Sequence, residues 1–330
     1  MVLSHARVPE LSTYQALQMK YFTLLILIAS LLIQTVDAKN EEQKAVVITG
    51  ASSGLGKKIA EHLADNGVFV FAGARKQKDI DALSAKKNIQ GIRLDVTKQK
   101  EIDEAVDFVR KQGKGLHGLV NNAGVFVYGP LIEVSEADLQ FQMDVNVFGP
   151  YRVTKAFAPL IIESKGRITS TGSISGVLMP GSLFGPYAMS KYAVEAYTDA
   201  LASEMKKFDV QVSVIQPGNF KSDIMKNMRA RSEKVLQSTK SLYADEYKRL
   251  EGFTQADRSM QKEPTPVAEA VMHALFSDNP KRRYMVVPNK READFTMRNQ
   301  FSRINMLNQG HEFTKSKEEL SSFFDAAVKE

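Results

Sequence analysis

The chain has 330 residues, 43% of them hydrophobic, enough for one large domain or two small ones around a sizeable core. It contains no cysteine, which excludes disulfides, thiolate metal sites and a cysteine nucleophile. The formal charge of +6 has its excess in residues 221–330, twenty basic against sixteen acidic, too dilute for a nucleic-acid-binding stripe; surface or anionic-ligand affinity is the better reading.

Residues 21–33 (YFTLLILIASLLI) form an uncharged, almost wholly apolar run, short for a membrane span of about 20 residues. A start at Met19 yields Met-Lys, the apolar run and then Val-Asp-Ala, the three-part layout of a secretory signal peptide. An uncleaved anchor reaching from Met19 to Val36 is the other reading. Both place residues 1–44 outside the fold as a targeting segment, and both put the protein at a membrane (through residues 19–36) or in the secretory pathway.

From Lys44 the pattern alternates. Ala45–Thr49 reads as a strand, followed by a glycine-rich turn and an amphipathic helix to Asn66. Val68–Gly73, Ile89–Leu94 and Leu116–Asn121 read as further strands, with a helix over Lys98–Gln112. A long helix is expected from about Ser135, a fair N-cap, to Ile162. Arg167–Thr171, Val210–Gln216 and Tyr284–Val287 complete the strands. Strands alternating with helices imply an α/β fold: a doubly wound, Rossmann-like parallel sheet of about seven strands with helices on both faces.

Two stretches carry chemistry. Thr49-Gly50-Ala51-Ser52-Ser53-Gly54-Leu55-Gly56 closes a strand and opens a helix, so its glycines permit a tight turn and the helix N-terminus offers free N–H groups to a pyrophosphate. Pro186-Tyr187-Ala188-Met189-Ser190-Lys191 opens a helix expected to run through Glu204. Tyr187 and Lys191 are four apart, so they share a face, and an ammonium near the phenol is expected to lower its pKa. That makes Tyr187 an acid/base candidate near neutral pH. The histidines His5, His62, His117, His273 and His311 are scattered without metal-ligand spacing, and no metal is expected.

Together these residues resemble the short-chain dehydrogenase/reductase family over about residues 45–290. The glycine turn resembles its cofactor turn (Gly50, Ser52, Ser53, Gly54, Leu55, Gly56). Asp95-Val96 resembles its adenine-side acidic position, and Asn121-Asn122-Ala123-Gly124 its fourth-strand motif. Pro217-Gly218-Asn219-Phe220-Lys221-Ser222 resembles the loop beside the nicotinamide, with Ser222 where threonine is usual. Asn146, Ser173, Tyr187 and Lys191 fall where the catalytic tetrad belongs.

The resemblance implies that Ser173 binds the substrate oxygen and that Tyr187 exchanges its proton. It implies that Lys191 assists the tyrosine and contacts the nicotinamide ribose, and that Asn146 holds a water linked to Lys191. It implies NAD or NADP as cofactor. NADP is the expectation, because Ala74 replaces the acidic residue of NAD-selective relatives and Arg75, backed by Lys76, offers a fork to a 2′-phosphate. Residues 223–263 fall at the family's substrate lid, and their methionines and other apolar side chains suggest a lipophilic substrate. Pro266–Leu275 and Pro280–Tyr284 resemble the steroid- and retinol-active branch. A homodimer or homotetramer through helices near 135–162 and 186–205 is implied as well. Residues 291–330 form a helical tail.

The function expected is NAD(P)-dependent interconversion of a secondary or allylic alcohol and its carbonyl, on a steroid-, retinoid- or lipid-like substrate. Reduction of small or sugar-derived carbonyls, and a non-catalytic nucleotide-binding scaffold, are the alternatives.

Overall fold

Alternation within β1 (Ala45–Ile48) sets the layering of the molecule. Val46 and Ile48 point into one apolar cluster, Ala45 and Val47 into another on the opposite face, and all four are fully buried. A strand buried on both faces belongs inside a parallel sheet. The computed structural model describes residues 43–222, 224, 241–255 and 261–329, of which those from Lys44 onward belong to one compact unit.

After β1 come α1 (Gly54–Asp65), β2 (Phe69–Ala74), α2 (Gln77–Ser84), β3 (Ile89–Arg93), α3 (Gln99–Lys111) and β4 (Gly118–Asn121). Then follow α4 (Glu136–Met143), a π-helical turn at Asp144–Phe148, α5 (Gly149–Glu163), β5 (Arg167–Thr171), α6 (Gly185–Met205) and β6 (Gln211–Pro217). The described remainder is α7 (Ala244–Gln255), α8 (Thr265–Phe276), β7 (Arg283–Val286), α9 (Lys290–Leu307) and α10 (Lys317–Ala327). The seven strands form one parallel sheet in the order β3-β2-β1-β4-β5-β6-β7. Ile59 and Leu63 of α1 join Val271 and Leu275 of α8 over one face, while Ile102 of α3 joins Phe157 and Ile161 of α5 over the other.

Two local expectations change. Helix α2 was not foreseen, because Ile80 and Leu83 are its only buried residues and two apolar positions make no readable period. The long helix from Ser135 starts as expected, with the Ser135 hydroxyl accepting from Asp138 N at 3.1 Å, but a π turn interrupts it. Pro150 follows that turn and has no N–H to continue an α-helical ladder.

The N-terminal expectations fall on residues 1–42, outside the described residues, as does most of the expected lid between 223 and 260. Among the described residues no helix is long and apolar enough to cross a membrane. Of the lid region, α7 sets Tyr247 and Leu250 against Phe126, Tyr128 and Leu183. In the tail, α9 reaches the turns after β5 and β6: Met179 N donates to Asn299 Oδ1 at 2.8 Å and Asn219 N to Glu292 at 2.9 Å.

Candidate active site

The sheet order reverses between β1 and β4, and their carboxyl ends part to leave a cleft, the place where open parallel sheets bind ligands. Thr49, buried at the end of β1, stitches its floor. Its Oγ1 accepts from Asn122 N and Ala123 N, both at 2.9 Å, and its own N–H donates to Val120 O at 3.0 Å. The glycine turn is as tight as its composition suggests. Gly50 has φ +66°, and a Cβ there would come within 2.8 Å of Ala123 Cα. A Cβ on Gly56 would stand 2.3 Å from Gly50 O, so the turn and α1 touch backbone to backbone. Ser53, the N-cap of α1, makes no side-chain capping bond, which leaves first-turn N–H groups of α1 for an anion.

The cavity above this turn has a volume of about 240 Å³ and runs from Arg75 and Asp95 at one end to Ser173, Tyr187 and Lys191 at the other. Gly50 to Gly56 line it through Ser52, Ser53, Gly54 and Leu55, as do Val96, Ala123, Gly124, Pro217, Gly218 and Ser222. A long cleft with glycine backbone and a helix N-terminus at its middle suits an extended dinucleotide, the pyrophosphate lying over α1.

At the adenosine end Arg75 lines the cavity with its side chain exposed, and its carbonyl accepts a bond from the Arg93 guanidinium. Lys76 stands instead at the N-cap of α2, outside the cavity lining. The Asp95 carboxylate accepts from Thr97 N at 3.0 Å and Thr97 Oγ1 at 2.8 Å, which fixes its direction.

At the reaction end Ser173 and Tyr187 line the cavity together, with the serine side chain close enough to the phenol to favour its ionised form. Lys191 Nζ donates to Thr171 O at 2.7 Å and lies 5.6 Å from the Tyr187 ring centre. Phe126 packs on the tyrosine ring with centres 4.2 Å apart, at the edge of the apolar cluster holding Tyr128, Leu183, Tyr247 and Leu250.

Three expectations need correction. The phenol is not lowered: burial pushes Tyr187 up to about 12, opposed by the Ser173 hydrogen bond. Lys191 is turned to the Thr171 carbonyl, and burial drives its own ammonium down to about 8, opposed by the Glu195 charge. Asn121 does not face the cavity, since its Nδ2 donates to Thr154 Oγ1 of α5 at 2.9 Å. Side chains alternate along a strand, so the neighbour Asn122 faces the cleft and bonds Thr49 O and Gly50 O at 3.0 and 3.2 Å. Asn146 is 2% exposed, and its side chain is committed to protein. Oδ1 accepts from Val125 N at 2.8 Å, and Nδ2 donates to Val125 O and Ser190 Oγ at 3.0 Å each, so both amide hydrogens are used within the protein.

Gln142 was missed. One turn before Asn146 and fully buried, it accepts from Val127 N and donates to Val125 O at 2.9 Å. The signal was a second polar amide four residues from Asn146 on one helix face. Phe126 and Thr171 carried no such signal.

The model of the short chain dehydrogenase family matches residues 44–233. A 3beta-hydroxysteroid dehydrogenase of Caenorhabditis elegans is 38% identical over 263 residues, 73% of this chain and 68% of that one. The mitochondrial D-beta-hydroxybutyrate dehydrogenase of Bos taurus is 35% identical over 266 residues, 73% and 76% of the two chains. Among solved structures, a short chain dehydrogenase/reductase from Burkholderia phymatum in complex with NAD superimposes with a TM-score of 0.67 at 27% identity, covering 81% of this chain and 95% of that one.

Proposed function

The chain belongs to the short-chain dehydrogenase family, and from this premise we propose that it interconverts a lipophilic secondary or allylic alcohol and its carbonyl. That it is an NAD(P)-dependent oxidoreductase acting on CH–OH groups follows from the family. The observation that carries the proposal is the Ser173–Tyr187 hydroxyl pair set against the aromatic wall of Phe126 and Tyr128. Two hydroxyls converge on one substrate oxygen, and the apolar wall beside them suits a hydrocarbon body. When bound, the nicotinamide supplies the hydride acceptor or donor.

The chain's own residues then have these tasks. Ser173 donates a hydrogen bond to the substrate oxygen and orients it. Tyr187 passes its phenolic proton to that oxygen in reduction and takes one in oxidation. Lys191, buried and pinned to Thr171 O, presents a positive charge beside the ring and N–H groups toward the ribose side of the cleft. Asn146, with Gln142, clamps Val125 to Ser190 and so holds the wall of the cleft to the helix that carries Tyr187. Backbone of the glycine turn and α1 receives the pyrophosphate, and Arg75 the adenosine 2′-phosphate, which makes NADP the preferred cofactor.

Substrate class is tested with purified protein, both cofactors and a panel of hydroxysteroids, retinol, D-3-hydroxybutyrate and sugar-derived ketones. Steroid or retinoid alcohols are expected to give kcat/KM at least about 10-fold above the small substrates, since burying two further methylenes contributes about 1.6 kcal/mol and a tenfold rate needs about 1.4 kcal/mol. Faster turnover of hydroxybutyrate or the sugar ketones would overturn the lipophilic reading. Cofactor binding without turnover on the whole panel would favour a scaffold.

The apolar run at residues 21–33 supports membrane attachment or export. Fractionation of cells expressing the full chain is expected to place it in the carbonate-resistant membrane pellet, or outside the cytosol with a new N-terminus near Lys39. Full-length protein free in the cytosol would exclude both.

A further inference from the structure

A row of alternating charge runs along α6 from the reaction centre to solvent. Lys191, Glu195 and Asp199 are spaced four apart and share one face of the helix. Arg283 of β7 joins the last two: its Nε is 3.3 Å from Glu195 Oε2 and its guanidinium pairs with Asp199. Lys191 and Glu195 are 6% and 7% exposed, whereas the Arg283 and Asp199 side chains are 41% and 43% exposed.

Lys191 and Glu195 also lie against consecutive residues of the turn that carries Ser173, the first by a hydrogen bond and the second by close packing. Lys191 Nζ bonds Thr171 O at 2.7 Å, and a Cβ on Gly172 would come within 2.8 Å of Glu195 Oε1. Glu195 Oε2 accepts from Gln216 Nε2 of β6 at 2.9 Å, while Oε1 is buried without a hydrogen-bond partner. A buried, unpartnered carboxylate oxygen lowers stability. A role in packing alone would be met more cheaply by an apolar side chain of similar size.

We infer that Glu195 is a positioning residue for the proposed reaction: its carboxylate braces the Thr171–Ser173 turn and supplies the counter-charge to the Lys191 ammonium, with Arg283 and Asp199 holding it from the solvent side. Burial lowers Lys191, and Glu195 is the charge that raises it again. Burial also raises the Glu195 carboxyl, against Gln216 and Arg283, which stabilise its ionised form. Among the described residues the titratable groups facing Lys191 are Tyr187 and Glu195, and those facing Glu195 are Lys191, Asp199 and Arg283.

The inference rests on the role of Lys191 proposed above. Without the Glu195 charge, Lys191 loses its proton at lower pH. The test is the pH profile of kcat/KM for carbonyl reduction in the wild type and in Glu195→Gln. The alkaline limb is expected to move to lower pH by about half a unit or more, as loss of a nearby opposite charge should do, and Glu195→Asp should bring it most of the way back. Because Glu195→Gln takes away one of the two carboxylates paired with Arg283, the double variant Glu195→Gln/Arg283→Gln, which neutralises the pair together, guards against misfolding and should show the same displacement. A wild-type limb in both variants overturns the inference. Tyr187→Phe is measured beside them. If it is inactive and the Glu195 variants keep the wild-type limb, the inference alone has failed; if it keeps turnover, the site assignment fails and takes the inference with it.

Discussion

Tyr187→Phe is expected to cut turnover by about 10²-fold or more, the scale of a lost general acid/base, with fold and cofactor affinity retained. The substitution removes one hydroxyl from a ring that keeps its packing on Phe126, so little else should change. Steady-state kcat, with a fluorescence titration of cofactor binding, checks both halves; near-normal activity would strike Tyr187 from the mechanism. The direction of its pKa adds a second expectation. With burial pushing the phenol up to about 12, it carries its proton at neutral pH and is set to donate it to a carbonyl. Alcohol oxidation needs the deprotonated phenol, so the oxidative rate of the wild type should climb with pH through the alkaline range while the reductive rate should not.

Arg75→Ala is expected to weaken NADP binding by about 1.5–3 kcal/mol, the worth of hydrogen bonds to a charged group, and to leave NAD nearly unaffected. Arg75 follows Ala74 at the end of β2, lines the cavity and has no described side-chain carboxylate partner. Arg93 lies beside Ala74 across the β2–β3 ladder, but its guanidinium is engaged by the Arg75 carbonyl and lies 3.8 Å from Glu101. It is therefore poorly placed to substitute for Arg75. Calorimetric titration of wild type and variant with each cofactor decides the matter: equal losses for the two, or a wild-type preference for NAD, would show that Arg75 does not read the phosphate.

What the sequence determined by itself is what contiguous residues encode. The strand–glycine-turn–helix unit at 45–65 and the Tyr187–Lys191 spacing were legible because a tight turn and a one-turn helical spacing are short-range properties. The alternation of strands and helices likewise implied the doubly wound parallel sheet, since elements buried on both faces have few other ways to pack. Helix α2 escaped because it buries only two side chains.

Only the tertiary structure decided which neighbours meet. Strand pleat and pairing turned Asn121 to Thr154 and gave Asn122 the cleft. The π turn aimed Asn146 at Val125 and Ser190, a contact spanning 44 residues of chain. The lysine expected to lower the tyrosine pKa is bound to Thr171 O, and burial of the phenol raises that pKa instead. A pKa is set by desolvation and charge summed over atoms from separate elements, here α6, the turn after β5 and the β4–α4 connection. Spacing along one helix places the Tyr187–Lys191 pair but leaves that sum open.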